Sequence, residues 1–539
     1  PMDILTSILE NKKEGTDPAY LIFSGTKGKW WILLGLTICA ALDILIATSS
    51  TVAIGEITGH LNASKDEMAW LSVGYFSSKL VFLILSIQLS KVLGGKPLLQ
   101  YSLLLFILGA FLCGTTSSYV VFLLGRLLLG AGSAAFYTVA QAVLFEIFPL
   151  KKQGLIQALF SLAIVLGPNV IPAIGGWLTY HFIWQLPFLG SVIIGLLMVP
   201  LISLLSDSVL PKVAKAKIGW LSVLWLLIGL CTFQFVMEEG ARYDWFEEKK
   251  IVLFSIISVI GICLFLFQNK RDGESYKLID FSVFKNASFS LAFLISFVSG
   301  FALFGSGSII PGFVKNVLRY HSADVGTIFL PSGIAVIVGL IISAVVVDTK
   351  KIAPFVSAAF GALCVIVSMV LISDVTVASG FPDMVPPTMV RGLGLGLLFV
   401  PIIYIAFNEL KGIRLLTGTG LFNFGRQCGG SLAIAFLPTY LTHQTAYHRK
   451  NLLDNLHPYS NLFDERVQGA TQALISRGYN PIEAEGAALG TVNIALNVQS
   501  AVLAFQNTFF VISIVFLCAA PVIISFKVFL AKKQAIHIK

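Results

Sequence analysis

Charge is what this sequence has least of. Asp, Glu, Lys and Arg make up only 12% of its 539 residues, against 56% hydrophobic, where a soluble domain carries roughly 25% charged residues. One or two water-soluble cores could not hide so much apolar side chain, which leaves lipid as the solvent for much of the chain. Cysteine is also sparse. Cys39, Cys113, Cys231, Cys263, Cys364, Cys428 and Cys518 all fall inside apolar runs, so no loop disulfide framework or zinc spacing is visible. The first 29 residues mix Lys12, Lys13, Glu14, Asp17, Lys27 and Lys29 without the apolar core of a signal peptide; the first span is expected to direct insertion. The histidines lie in loops or tails, and His443 and His448 have no carboxylate at metal-ligand spacing. With no nucleophile, metal cluster or acid–base pair on one face, an enzyme is not expected.

Long apolar runs are what the sequence does have. Runs near or above roughly 18 residues argue for spanning helices. They lie near 30–57, 67–90, 97–117, 119–147, 154–180, 184–206, 217–238, 249–269, 288–314, 322–347, 352–373, 384–408, 414–442 and 502–530. Trp30, Trp31, Trp70, Trp177, Trp184 and Trp245 stand near span ends, as an aromatic belt does. The net charge of +9 reflects short basic loops rather than a nucleic-acid surface. Lys91 and Lys96, Lys151 and Lys152, Lys350 and Lys351, and Lys411 and Arg414 share one side with the Lys527–Lys533 tail. That side is read as cytoplasmic, with both termini there. Two loops are long: 270–287 on that side, and 443–500 on the other with a helix expected around Asp464–Arg477.

Charges inside the spans carry the functional signal. Each costs about 2.5–3.5 kcal/mol at mid-bilayer on insertion scales, so a role is the default reading. Asp43, Lys79, Arg126, Arg391 and Arg426 are the deep ones. Asp43 lies 13 residues past Trp30, roughly 20 Å along the helix. It is the candidate proton carrier, with Arg126 as a candidate tuning partner. Arg126, Gly130, Ser133, Tyr137 and Gln141 recur at helical spacing and share a face; so do Tyr75 with Lys79, and Asn423 with Arg426, Gln427 and Gly430. Such stripes line a cavity or pack helices through small residues. An excess of cations favours an anionic substrate, for which Lys79, Tyr75, Tyr137, Gln141, Arg391, Asn423, Arg426 and Gln427 are the candidate binding residues. A faint repeat links Arg126, Gly130 and Gly132 of the fourth span to Arg391, Gly394 and Gly396 of the twelfth, a pattern of transporters built from two related halves.

With these residues in view, the chain resembles the fourteen-span drug:proton antiporter branch of the major facilitator superfamily, and within it the EmrB-type exporters. Leu42-Asp43 is similar to the family's Leu-Asp motif, and Gly125-Arg126 through Gly132 to its Arg-plus-glycine motif. Gly167-Pro168-Asn169-Val170-Ile171-Pro172-Ala173-Ile174-Gly175-Gly176 is similar to the antiporter motif, with Ile171 in place of the usual second Gly. Tyr243–Phe246, Ile279–Lys285 and Asn423–Gly430 add further matches. Lys91 stands where the family has an Asp, and Lys79 where it is usually neutral.

The resemblance implies an all-α polytopic membrane protein with the major facilitator fold. Two six-helix halves (spans 1–6 and 9–14) flank two additional central spans, fourteen in all. The expected division is 1–29, a cytoplasmic segment; 30–206, the N-terminal half; 207–287, the inserted spans and linker; 288–530, the C-terminal half with its periplasmic loop 443–500; and 531–539, a cytoplasmic tail. Gly167, Pro168, Pro172, Gly175 and Gly176 would kink and closely pack the fifth span. The implied activity is proton-driven export of a drug-like or anionic metabolite, a carboxylate siderophore among the candidates. It would run from the bacterial inner membrane, with no cofactor beyond the proton gradient, and with a periplasmic adaptor and an outer-membrane channel as possible partners. Proton-coupled import of a small solute is the alternative; a membrane receptor or enzyme is the remaining one.

Overall fold

The computed structural model describes residues 26–181, 183–213, 216–320, 322–454 and 461–537; side chains 26, 27, 52, 65, 66, 168, 169, 171–181, 322–325, 461, 462 and 519–537 lie outside the described set. Among the described residues the secondary structure is helical throughout. The first half comprises α1 (Thr26–Val52), a short α2 (Ile54–Leu61), α3 (Lys65–Leu93), α4 (Gly95–Thr115), α5 (Tyr119–Ile147), α6 (Gln153–His181) and α7 (Leu186–Ser203). The hairpin α8 (Trp220–Glu239) and α9 (Lys249–Arg271) follows. The second half comprises α10 (Ala287–Asn316), α11 (Ser322–Thr349), α12 (Pro354–Ser373), α13 (Phe381–Phe407), α14 (Gly412–Asp454), α15 (Asn461–Ile475) and α16 (Pro481–His537).

Local chemistry sets several starts. At α3, Ser64 Oγ accepts from Glu67 N and Glu67 Oε2 accepts from Ser64 N at 2.7 Å, a reciprocal capping box. At α10, Asn286 Oδ1 accepts from Phe289 N at 3.1 Å. Among the described residues, thirteen helices are long and apolar enough to cross a membrane. The thirteenth sequence span, 414–442, lies within α14, which is outside that set. The reason is its buried face: Thr417, Thr419, Asn423, Arg426 and Ser431 are all buried, and they lower its mean hydropathy while facing protein. The helix expected in the long loop is α15, and the segment after it is continuous with the last span as α16.

Packing repeats between the halves. In the first, α5 lies against α3 and α4, and α1 against α6 and α7; in the second, α13 lies against α11 and α12, and α10 against α14 and α16. The arginine-and-glycine helices α5 and α13 thus hold equivalent places, as the faint repeat suggested. Glycine makes these contacts close. A methyl on Gly132 would lie 2.6 Å from Ser102 O, and one on Gly396 2.5 Å from Val336 O. The halves meet along α6 with α11 and along α14 with α3 and α5. The α8–α9 hairpin covers part of the second seam, with α8 against both α3 and α14.

Gly130 makes one of the tight contacts near the deep charges, because a methyl there would collide with the Tyr75 carbonyl oxygen. Gly130→Ala is expected to lower the unfolding midpoint in detergent, with about 1–3 kcal/mol of overpacking. Gly190→Ala, where a methyl meets nothing within 4 Å, leaves it unchanged. Equal midpoints for the two variants would contradict this packing.

Candidate functional site

Three helices of the first half converge on Asp43. Tyr75 and Lys79 are one helical turn apart on α3, and Tyr137 comes from α5. Asp43 is fully buried. Tyr75 Oη donates to its Oδ1, Lys79 Nζ to Oδ2 at 2.5 Å, and Tyr137 Oη to Oδ2 at 2.7 Å. The Lys79 ammonium also lies 4.5 Å from the centre of the Tyr137 ring, a cation–π contact. A buried carboxylate needs this density of donors, since an unpaired charge in low dielectric is strongly destabilising.

The cation paired with Asp43 is therefore Lys79. Arg126 stands one layer back. Its guanidinium lies 4.4 Å from the Tyr75 ring centre, and it donates to Ser50 Oγ at 2.9 Å and to Leu71 O at 3.4 Å. Glu238 of α8 is close enough for its charge to act on Arg126, and accepts from Gln234 Nε2 at 3.1 Å. Glu238 ends the seventh span and Gln234 lies within it; the sequence reading assigned neither a role.

The second half supplies Arg426 from α14. Its Nη2 donates to Asn423 Oδ1, while Nη1 is buried without a hydrogen-bond partner among the described residues. Asn423 Nδ2 reaches across the seam to Tyr137 O at 3.1 Å and Gln141 Oε1 at 2.8 Å. Arg426 is thus oriented by Asn423, which is itself anchored on the other half.

A cavity of about 410 Å³ lies between these groups. Asp43, Lys79 and Arg426 are its charged lining, joined by Tyr137, Asn423 and Gln427. Ile44, Leu83, Ile164, Leu303, Phe304 and Pro311 make much of the rest apolar. Tyr75 and Gln141 stand behind the lining. Arg391 does not line the cavity: it is fully buried on α13 and donates to Ser306 Oγ at 2.7 Å. Gly167 is buried in α6; the side-chain positions of Pro168, Pro172, Gly175 and Gly176 lie outside the described residues.

The cavity is closed toward the basic loops. Glu146, at the end of α5, accepts from Gly412 N at the start of α14 at 2.9 Å. Asp348, near the end of α11, accepts from Gly154 N at 2.7 Å and Leu155 N at 3.0 Å at the start of α6. Each half thus places a carboxylate on a helix N-terminus of the other, where free N–H groups and the helix dipole favour negative charge. The Phe145 and Phe407 rings, 5.4 Å apart, add an apolar seal. Lys91, at the position where an acid was expected, donates instead to Gln88 Oε1 at 3.1 Å and Lys277 O at 3.4 Å. It ties α3 to the 270–287 linker. Partial burial pushes the linker's Asp280 carboxyl up, but Ser282 donors and the Lys91 and Arg414 charges hold it below the usual carboxylate range.

This is the architecture of a secondary transporter: two related helical halves, a polar-and-apolar cavity on the seam, and a barrier at one end. The family model for the Major Facilitator Superfamily matches residues 36–434, and the chain belongs to that superfamily. It is 26% identical to the colistin resistance protein EmrB of Acinetobacter baumannii, over 89% of this chain and 92% of that one. It is 22% identical to the fatty acid resistance protein FarB of Neisseria gonorrhoeae, over 92% and 95%. It is 23% identical to the multidrug export protein EmrB of Escherichia coli, over 79% and 83%. Among solved structures, the proton:xylose symporter XylE covers 91% of this chain and 95% of its own at a TM-score of 0.51 and 12% identity, a likeness of fold.

Removing both latch carboxylates (Glu146→Ala with Asp348→Ala) is expected to loosen the basic end. Hydrogen exchange over 83–91 and 412–420 should accelerate several-fold or more, from about 1–3 kcal/mol of lost capping. Unchanged exchange would contradict the latch.

Proposed function

We propose that this protein is a proton-linked exporter of small amphiphilic anions, working by alternating access across a bacterial inner membrane. In this reading the halves 30–206 and 288–530 rock about the cavity, the basic loops and both termini face the cytoplasm, and the state described is open away from it. The observation that carries the reading is the unpartnered Nη1 of Arg426, buried beside an apolar wall. A guanidinium N–H removed from water calls for an acceptor, and an anionic one binds it most strongly.

The relatives support the direction and the chemistry. Two are named for resistance and one for export, and a fatty acid is a carboxylate on an apolar chain. A carboxylate siderophore is a further cargo of the same class. Asp43 is the protonatable group in this reading, held in place by Tyr75 and Tyr137 and backed by Arg126. As with EmrB-type exporters, a periplasmic adaptor and an outer-membrane channel would carry the cargo onward.

Reconstituted transport of decanesulfonate, an amphiphile whose headgroup stays ionised, tests the reading. Arg426→Gln is expected to slow it about ten- to a hundredfold, the equivalent of a charge-assisted hydrogen bond of about 1.5–3 kcal/mol. Transport at the wild-type rate in that variant would overturn the anionic assignment.

A further inference from the structure

The way Lys79 is held bears on the sign of the proton coupling, an inference that rests on the anionic cargo proposed above. Of the two cations lining the cavity, Arg426 has a free N–H among the described residues, whereas Lys79 is occupied by Asp43 at 2.5 Å. At an unpaired carboxylate a cationic drug would compete with a proton, which gives exchange. An anion does the reverse, because it competes with Asp43 for Lys79.

We propose that an anionic headgroup binds between Arg426 and Lys79, takes the ammonium from Asp43, and lets Asp43 accept a proton from water, so that anion and proton load and leave together, an efflux driven by the cargo's own outward gradient rather than by proton entry. Hydronium gives its proton to the carboxylate and leaves water; no bond of the cargo changes. Loading one monovalent anion with one proton leaves the net charge of the cavity where it was. Loading the anion alone would strand a buried carboxylate whose ion-pair partner, Lys79, had been drawn away, a costly arrangement.

The surroundings of Asp43 leave no substitute for Lys79. From α3 it faces Lys79 and Tyr75, and from α5 Tyr137, with Arg126 behind. Arg126 is already held by Ser50 Oγ, Leu71 O and the Tyr75 ring, with Glu238 of α8 beyond it. Arg426 comes from α14, where Asn423 orients it. Of the other helices against α1, both α6 and α7 contain no Asp, Glu, Lys or Arg, and the short α2 carries Glu56 and His60 beyond the end of α1, more than ten residues from Asp43. The Tyr75 and Tyr137 hydroxyls can stay on the carboxyl group in either protonation state, since a protonated carboxyl keeps acceptor capacity.

The test is calorimetric titration of the whole protein in lipid nanodiscs with decanesulfonate, in two buffers of different ionisation enthalpy, between about pH 6 and 8. Wild type is expected to take up as much as one proton per anion, and its affinity to fall toward tenfold per pH unit as pH rises, the slope for one linked proton. Asp43→Asn should bind the anion without proton uptake or pH dependence, and Lys79→Gln should bind it at least tenfold more weakly. Decyltrimethylammonium, which meets a carboxylate already ionised and paired with Lys79, should drive no proton uptake, and uptake with this cation as well would also overturn the inference. Anion binding by wild type with no proton uptake across this range, or undiminished uptake in Asp43→Asn, would overturn the inference while sparing the anionic reading. No binding of decanesulfonate by wild type would overturn both. The wild-type proton count stands by itself if a variant does not fold.

Discussion

A carboxylate at the depth of Asp43 cannot stand alone. Burying an ion costs several kcal/mol even after relaxation, so the helices around it must deliver donors to both oxygens. Three do so from two helices, and their positions depend on α3 and α5 coming very close. Gly130 permits that approach. The polar centre thus rests on a steric condition: a side chain at Gly130 would push α3, with Tyr75 and Lys79, away from the carboxylate. Among the described residues the second half places no matching anion in the cavity. Arg426 is turned into it by Asn423, which is itself anchored across the seam on Tyr137 and Gln141.

That cross-seam anchoring explains how one site can sense the relation between the halves. Tyr137 touches Asp43 through its hydroxyl and Asn423 through its carbonyl oxygen, so the charged centres of the two halves share one residue. At the basic end the same relation is held by carboxylates on helix starts. Glu146 and Asp348 form a reciprocal pair of latches, one from each half. Lys91 contributes to a different tie, between α3 and the linker that precedes the second half. The α8–α9 hairpin lies over the α3–α14 seam and brings Glu238 near Arg126, which gives the inserted pair a place in the electrostatics of the first half.

The spans were legible because length and apolarity are local properties of sequence. Of the fourteen expected spans, α14 is the one that falls outside the hydropathy criterion among the described residues, since the polar side chains that face its neighbours count against it. The deep charges were legible for a related reason, being costly wherever lipid is near. Their pairing was not. Helical spacing put Tyr75 with Lys79 on one face, but nothing local reports how α1 is rotated against α3 and α5. Spacing alone therefore names Arg126 as the partner of Asp43 and gives Lys79 to the cargo, whereas Lys79 makes the ion pair. Likewise Arg391, an apparent cavity residue, is turned toward Ser306. The latch residues gave a faint signal, each an acid a few residues before a basic pair: Glu146 before Lys151 and Lys152, Asp348 before Lys350 and Lys351. A carboxylate at a span end is usually solvated, and only the tertiary fold shows which helix start it reaches.

The central claim is that the Asp43–Lys79 pair links an anion to a proton in the same cavity. One monovalent anion moving with one proton carries no net charge across the membrane. In proteoliposomes, an imposed pH gradient should therefore change the initial rate of decanesulfonate flux, while an imposed membrane potential at equal pH should not. Flux that follows the potential and ignores the pH gradient would contradict the account.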